Sequence, residues 1–200
     1  VSDEPGLRDR KKAATRAALS HAAWSIMVED GLAAVSPESV AERVGVSSRT
    51  FRNYFASREE AIIDGWSRRH HALADRVRER PPAEPLWDSL VRVLPEAALE
   101  IIGSRDDIAL MIRVITESPT LLAHNLLALQ RTSGLLAEVV AERTGERRLV
   151  PHVVAGAVLA ALASAVTYWA THDTDEPLPD LLRQCLEHLR AGLPVGPPTP

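Results

Sequence analysis

The chain has 200 residues, with Lys+Arg 23 against Asp+Glu 27, a net charge of −4 and only 4% aromatic residues. This length allows one large domain or two small ones, and few aromatics beside many alanines and leucines favour helix over sheet. The single Cys185 excludes an intrachain disulfide, and Val1–Gly6 is polar with no signal-peptide core, so a cytoplasmic protein is expected.

The charge is unevenly spread. Residues 1–80 carry 14 Lys+Arg and 12 Asp+Glu, a balance of +2, whereas residues 81–200 carry 9 and 15, a balance of −6. The first part is the one that tolerates a polyanion, and Arg8, Arg10, Lys11, Lys12 and Arg16 against Asp9 make a local basic arm.

A first helix is expected from about Arg8 to Asp30. Leu19, Ala22, Ala23 and Ile26 recur at helical spacing, and Gly31 ends the run. Ser36–Phe55, SPESVAERVGVSSRTFRNYF, then reads as a helix-turn-helix. Ser36 followed by Pro37 is a hydroxyl cap with proline at the first helical position. Val40, Ala41 and Val44 form one apolar face, Gly45 stops the helix, and Ser47 or Ser48 starts a second one built on Phe51, Tyr54 and Phe55. The small Ala41 lets the two helices cross closely. Ser48, Arg49, Arg52 and Asn53 fall on the outward face, residue types that reach phosphates and base edges, and no acid interrupts Val44–Arg58. Arg16, on a polar face of the first helix, is a further phosphate candidate.

Ser57 with Glu60 three residues on predicts a capping box opening a fourth helix to about Arg80. Pro81, Pro82 and Pro85 end it and mark a hinge. Five more helical patterns follow, roughly Leu86–Gly103, Arg105–Glu117, Thr120–Thr144, Pro151–His172 and Leu178–Leu193, and Pro194–Pro200 is expected to be a disordered tail. Val153–Ala170 carries no charge. Its alanine, glycine, serine and threonine drive membrane insertion weakly and no flanking basic cluster or aromatic belt accompanies it, which argues for a buried helix and against a membrane. Gly156, Ala157, Ala160 and Ala161 permit close helix approach, and Leu182, Leu186 and Leu189 of the last helix supply a matching stripe, so these residues are expected at a dimer interface.

Seven histidines are present, but without metal-ligand spacing. No phosphate-binding glycine loop, nucleophile elbow or dinucleotide fingerprint occurs. No metal, no cofactor and no enzymatic activity is expected.

The stretch from Ala14 to Trp66 resembles the DNA-binding domain of the TetR (tetracycline repressor-like) family. It carries Ser36, Val40-Ala41, Val44-Gly45-Val46-Ser47, Thr50-Phe51-Arg52-Asn53-Tyr54-Phe55 and Ser57-Arg58-Glu59-Glu60-Ala61 where that family has T-x-x-x-I-A-x-x-A-G-V-S, T-x-Y-x-x-F and S-K-E-E-L. It departs at Arg52, usually a phosphate-binding tyrosine, and at Arg58, usually lysine; both keep a phosphate-capable donor. The resemblance implies an all-α protein of about nine helices. A three-helix DNA-binding domain (8–56), a connecting helix (57–80), a helical ligand-binding and dimerisation domain (81–193) and the tail (194–200) would follow in order. It implies DNA contacts from Arg16, Ser36, Ser47, Ser48, Arg49, Thr50, Arg52, Asn53, Tyr54 and Arg58, and a four-helix dimer interface from the last two helices.

The resemblance also implies an inducer pocket in the second domain. Trp87, Leu90, Met111, Ile115, Leu122, Leu126, Leu129 and Trp169 are candidate apolar lining, with Thr116, Asn125 and Gln130 as polar groups. Ser118–Gln130 resembles members thought to sense acyl-CoA-like ligands. The function implied is a homodimeric repressor on a palindromic DNA operator, released by a small, largely apolar ligand. The alternative is an all-helical small-molecule-binding or accessory protein whose DNA-binding head no longer recognises an operator.

Overall fold

The computed structural model describes residues 6–101 and 104–193. Among them are nine α-helices and no strand: α1 Leu7–Asp30, α2 Pro37–Val44, α3 Ser48–Arg52, α4 Arg58–Arg78, α5 Leu86–Ile101, α6 Arg105–Glu117, α7 Pro119–Thr144, α8 Leu149–Thr171 and α9 Leu178–Arg190. This is the all-α architecture expected. A short 3₁₀ turn, Leu32–Ala34, joins α1 to α2 and has no counterpart in the sequence reading. The break expected at Gly103 and the tail at 194–200 fall outside the described residues.

The chain forms two compact units, one of residues up to Arg68 with Val114–Leu126, the other of Arg69–Arg113 with Leu127 onward. The division falls inside α4, not at the prolines that the sequence marks as a hinge.

In the first unit, local chemistry sets each helix end. Gly31, at φ +85°, occupies the left-handed region that ends α1. The Ser36 hydroxyl accepts the Ser39 N–H at 3.0 Å, and the Ser39 hydroxyl accepts the Ser36 N–H at 3.0 Å, a reciprocal box with serine at its third position. After α2, the Val46 N–H reaches the Ala41 carbonyl and the Gly45 N–H the Glu42 carbonyl, both at 3.0 Å, with Gly45 at φ +74°. This is a Schellman ending, which only a residue tolerant of left-handed backbone allows. Ser47 caps α3 through the Thr50 N–H at 3.1 Å. Ser57 caps α4 through the Glu60 N–H at 3.0 Å, but the Glu60 carboxylate takes the Ala56 N–H at 2.8 Å, so the expected reciprocal box is displaced by one residue.

Leu19, Ala22, Ala23, Ile26, Val40, Ala41, Phe51, Phe55 and Ile62 are buried in this unit. α1 and α4 touch at Ser20 and Gly65. Ser20 is buried, and a Cβ at Gly65 would sit 2.8 Å from the Ser20 Oγ. Glycine in a helix interior costs about 1 kcal/mol against alanine, so its presence here reflects the close crossing.

The second unit is built on Leu73, Ala74 and Val77 of α4, Leu90, Leu94 and Ala97 of α5, Leu136 and Val139 of α7, Ala155 and Val158 of α8, and Leu186 of α9. A neighbouring cluster joins Ala98, Ala165, Leu178, Leu181 and Leu182, flanked by Val166, Trp169 and Cys185. α9 therefore lays its leucine stripe between α5 and α8.

The proline stretch is fastened to the second unit. Arg143 of α7 donates to the carbonyls of Val77 at 2.9 Å, Pro81 at 3.2 Å and Glu84 at 2.7 Å, and to the Ser89 hydroxyl at 3.0 Å. Arg80 grips the Glu84 carboxylate with two 2.8 Å hydrogen bonds, and the Ser89 hydroxyl donates to it at 2.7 Å. The bonds from Arg80, then from Ser89, hold the Glu84 carboxyl down to about 2.

Three outcomes are expected. Gly65→Ala lowers the stability of the chain by about 1 kcal/mol, because overpacking of about 1–3 kcal/mol exceeds the helix-propensity gain. Adding Ser20→Ala removes the clash and returns the urea midpoint to at least that of the parent. Arg143→Met costs at least about 2 kcal/mol through stranded carbonyls, and Arg143→Lys recovers only part, lacking the planar fork. Since the Glu84 carboxyl is depressed in the folded chain, its contribution is full above its unfolded value of about 4.3 and is lost as the pH falls toward 2. Urea titrations across that window should show Glu84→Gln with a shallower acid loss than the parent.

Candidate DNA-binding site

Phe51 and Phe55 determine which side of α3 is outward. Both rings are buried, with centroids 5.6 Å apart, and their spacing of four residues plants one face of the segment in the core. Arg49, Arg52 and Asn53 are consequently exposed, with Ser48, Thr50 and Tyr54 half-exposed beside them. Ser47 is exposed at the helix start, where its hydroxyl also meets that of Thr50 at 2.9 Å.

The arginines expected to meet DNA divide by what already holds them. Arg49 has no hydrogen-bond or ion-pair partner among the described residues and stands in the first turn of α3. Arg52 pairs with Glu38 of α2 at 2.8 Å, with both side chains more than half exposed, so the pair is worth at most about 1 kcal/mol and is readily traded for a phosphate. Ser36 is occupied in capping α2.

Arg16 and Arg58 are corrections. The Arg16 Nε donates to the Asp64 Oδ1 at 2.8 Å and its Nη1 to the Tyr54 carbonyl at 2.8 Å, while its Nη2 lies 3.3 Å from the Glu60 Oε1. The guanidinium also stacks 4.4 Å from the centre of the Phe55 ring. Burial disfavours its charge, but Asp64 and then Glu60 outweigh that and raise its pKa. Asp64 is itself shared, its Oδ2 lying 3.0 Å from Arg68. Arg58 donates to the carbonyls of Leu32 at 3.2 Å and Val35 at 3.1 Å, and to Glu59 at 2.9 Å. Burial works to raise the Glu59 carboxyl, yet the hydrogen bond from Arg58 prevails and holds it below the ordinary carboxylate range. Both arginines fasten the head, Arg16 through all three guanidinium nitrogens and Arg58 through Nε and Nη1.

A cleft of about 680 Å³ adjoins the far end of α3. Thr50, Asn53 and Tyr54 form one wall and Arg8, Asp9, Lys11, Lys12 and Thr15 of α1 the other. The basic arm was visible in the sequence, but its position against α3 was not.

The ligand candidates differ in burial. Leu90 is sealed in the core of the second unit, and Met111 and Ile115 are buried. Trp87, Asn125 and Leu129 are half-buried, and Trp169 is half-buried with Arg105 5.1 Å over its ring. Thr116, Leu122, Leu126 and Gln130 are exposed. The inward stripe of α7 runs through Leu121, Ala128, Thr132 and Leu136 instead, one residue out of step with the expected lining.

The dimer candidates divide too. Leu182 and Leu186 are buried inside their own chain, which removes them from any interface between chains. Leu189 packs half-buried on the same core. Gly156 and Ala160 are exposed and Ala157 and Ala161 half-buried. With Leu149, Val153, Ala163 and Thr167, the exposed pair forms an uncharged stripe along one side of α8. α8 is long and apolar enough to cross a membrane by length and composition alone, at a mean hydropathy of 2.1, yet Pro151, Ala155, Val158 and Ala165 on its other side are buried in the chain.

Comparison with known proteins identifies the architecture. Residues 19–62 match the model of bacterial regulatory proteins of the tetR family, and residues 84–194 match the MftR C-terminal domain. The HTH-type transcriptional regulator TcmR of Streptomyces glaucescens is 32% identical over 148 residues, spanning 70% of this chain and 65%, just under two thirds, of that protein. The provisionally named mycofactocin biosynthesis transcriptional regulator MftR of Mycobacterium tuberculosis is 27% identical over 195 residues, 92% of this chain and 93% of that one. Two solved structures share the fold. Thermus thermophilus FadR, a TetR family transcriptional repressor in complex with lauroyl-CoA, superposes with a TM-score of 0.61 at 22% identity over 92% of this chain and 98% of that one. The fatty acid degradation regulator FadR from Bacillus halodurans superposes with a TM-score of 0.63 at 18% identity over 96% and 99%. With a family model matched at each end and the helix-turn-helix in place, the chain belongs to the TetR family, transcription regulators with a DNA-binding helix-turn-helix and a ligand-binding C-terminal domain.

Proposed function

We propose that the chain is a repressor that binds a palindromic operator as a homodimer and is released by a small, largely apolar ligand. The observation that carries this reading is Arg49, exposed and unpartnered in the first turn of a helix whose other face is fixed in the core. The start of a recognition helix is the end that enters the major groove, and a guanidinium there pairs bidentately with a guanine edge. Ser47, Ser48 and Thr50 flank it with hydroxyls. Arg52 exchanges Glu38 for a phosphate, and Asn53 and Tyr54 complete the contact surface. DNA-binding work of this kind places the protein in the cytoplasm.

The uncharged stripe of α8 supports the homodimer. Leu149, Val153, Gly156 and Ala160 are too apolar as a contiguous face to stay in water, and their smallness suits a like helix of a second copy. For the ligand, the support is the lauroyl-CoA held by the Thermus fold relative and, in the second unit, the half-buried Trp87, Leu129 and Trp169, apolar surface with two indole N–H groups. An acyl-CoA-like molecule fits that mixture.

Four measurements test the reading. Arg49→Ala should weaken operator binding and relax preference at one base pair per half-site, by about 1–3 kcal/mol, in a selection from randomised duplexes. Arg58→Ala should act through a lower melting temperature, with discrimination among bases unchanged once folded. Ala160→Arg should sediment as a monomer with parental helical content, whereas the parent sediments as a dimer at micromolar concentration; a monomeric parent would remove the palindrome from the proposal. Lauroyl-CoA should raise the melting temperature and release operator, and failure of lauroyl-CoA together with shorter and longer acyl-CoAs would exclude that ligand class.

A further inference from the structure

We propose that Arg8, Lys11 and Lys12 of α1 form, with Thr50, Asn53 and Tyr54, a groove that grips the phosphates of one DNA strand flanking the half-site. This rests on the DNA-binding reading above and adds to it a backbone clamp outside the recognition helix start.

Four observations carry it. First, the spacing puts the groups on one side. Arg8, Lys11, Lys12 and Thr15 recur at helical intervals and line the wall of the 680 Å³ cleft opposite the end of α3. From residue 8 to 15 the helix rises about 10 Å, room for two or three successive phosphates. Second, the charge is uncommitted. Among the described residues of the first unit, Arg16, Arg43, Arg52, Arg58 and Arg68 each have an acidic partner, whereas none is found for Arg8, Lys11 or Lys12. Asp9 also lines the cleft, so three cations against one acid leave it at +2.

Third, two of the arginines that the sequence suggests for phosphate work are already engaged. Arg16 and Arg58 donate to Asp64, Glu60, Glu59 and main-chain carbonyls, which leaves Arg52 and the cations of α1 as the readier phosphate donors. Fourth, the opposite wall offers the hydroxyls of Thr50 and Tyr54 and the amide of Asn53, donors that suit phosphate oxygens. Asn53 and Tyr54 lie past the last residue of α3, beyond Arg49, while Thr50 stands beside Arg49 and joins the two regions. A strand lying in the groove is therefore displaced to one side of the bases that Arg49 reaches.

The experiment uses the full chain and its best operator, selected from random duplexes. Binding is measured by fluorescence anisotropy from about 50 to 200 mM salt. One duplex ends at the outer edge of the half-sites and another extends about five base pairs further on each side. The variant is Arg8→Gln with Lys11→Gln and Lys12→Gln, all exposed positions, with circular dichroism confirming an unchanged melting profile. On the extended duplex the variant should lose tenfold or more in affinity, with the salt slope shallower by about 0.9 for each phosphate contact removed. On the short duplex, variant and parent should bind alike. Asp9→Asn should tighten binding to the extended duplex only. A variant that keeps the parental slope on the extended duplex overturns the groove while leaving the DNA reading intact. An equal loss on both duplexes overturns the flanking position. A parent that selects no duplex at all ends the DNA reading, and the groove with it.

Discussion

One guanidinium holds the DNA-binding head together. Arg16 leaves α1 and meets Asp64 and Glu60 on α4, the Tyr54 carbonyl past α3, and the face of the Phe55 ring. α1 is joined at one charge to the residues just past α3 and the first turns of α4, 38 to 48 residues on. α3 has only five residues, far too few to be helical alone. Its shape is imposed by the Ser47 cap at one end, by Phe51 beneath and by Arg16 at the other. Arg58 does the same for the approach to α2 by binding the carbonyls of Leu32 and Val35. The outward side chains are aimed only as well as these anchors hold.

α4 carries that arrangement toward the rest of the chain. It is 21 residues long, about 30 Å at ordinary helical rise, and the division between the two compact units passes within it. Each end is secured by polar groups from outside the helix: Ser57 before its first turn, and Arg143 on the Val77 carbonyl near its last.

The turns and caps were legible in the sequence because they are local. Ser36-Pro37, Gly31, Gly45 and Ser57 each announce a helix boundary within a few residues, and every helix of the chain was expected close to where it lies. What was not legible depends on partners far along the chain. Arg16 looked like a phosphate ligand because its acid, Asp64, stands 48 positions away. On α7, Leu121 and Leu122 are adjacent and equally apolar, and periodicity alone did not reveal that Leu121 turns inward. On α9 the leucine stripe was plain, but a stripe does not say what covers it. Leu182 and Leu186 are covered by their own chain. The Leu32–Ala34 turn is too short to have a period at all.

The Arg143 cluster has an evolutionary side. Three of its four contacts are to main-chain carbonyls, those of Val77, Pro81 and Glu84, and every amino acid supplies a carbonyl. Apart from Glu84 and Ser89, whose side chains share in the fastening, side chains in this connector are therefore free to drift without loss of the grip, while Arg143 is not. Descendants of this chain can diversify the connector's surface and still inherit its shape, so sequence variation there is a poor guide to structural change.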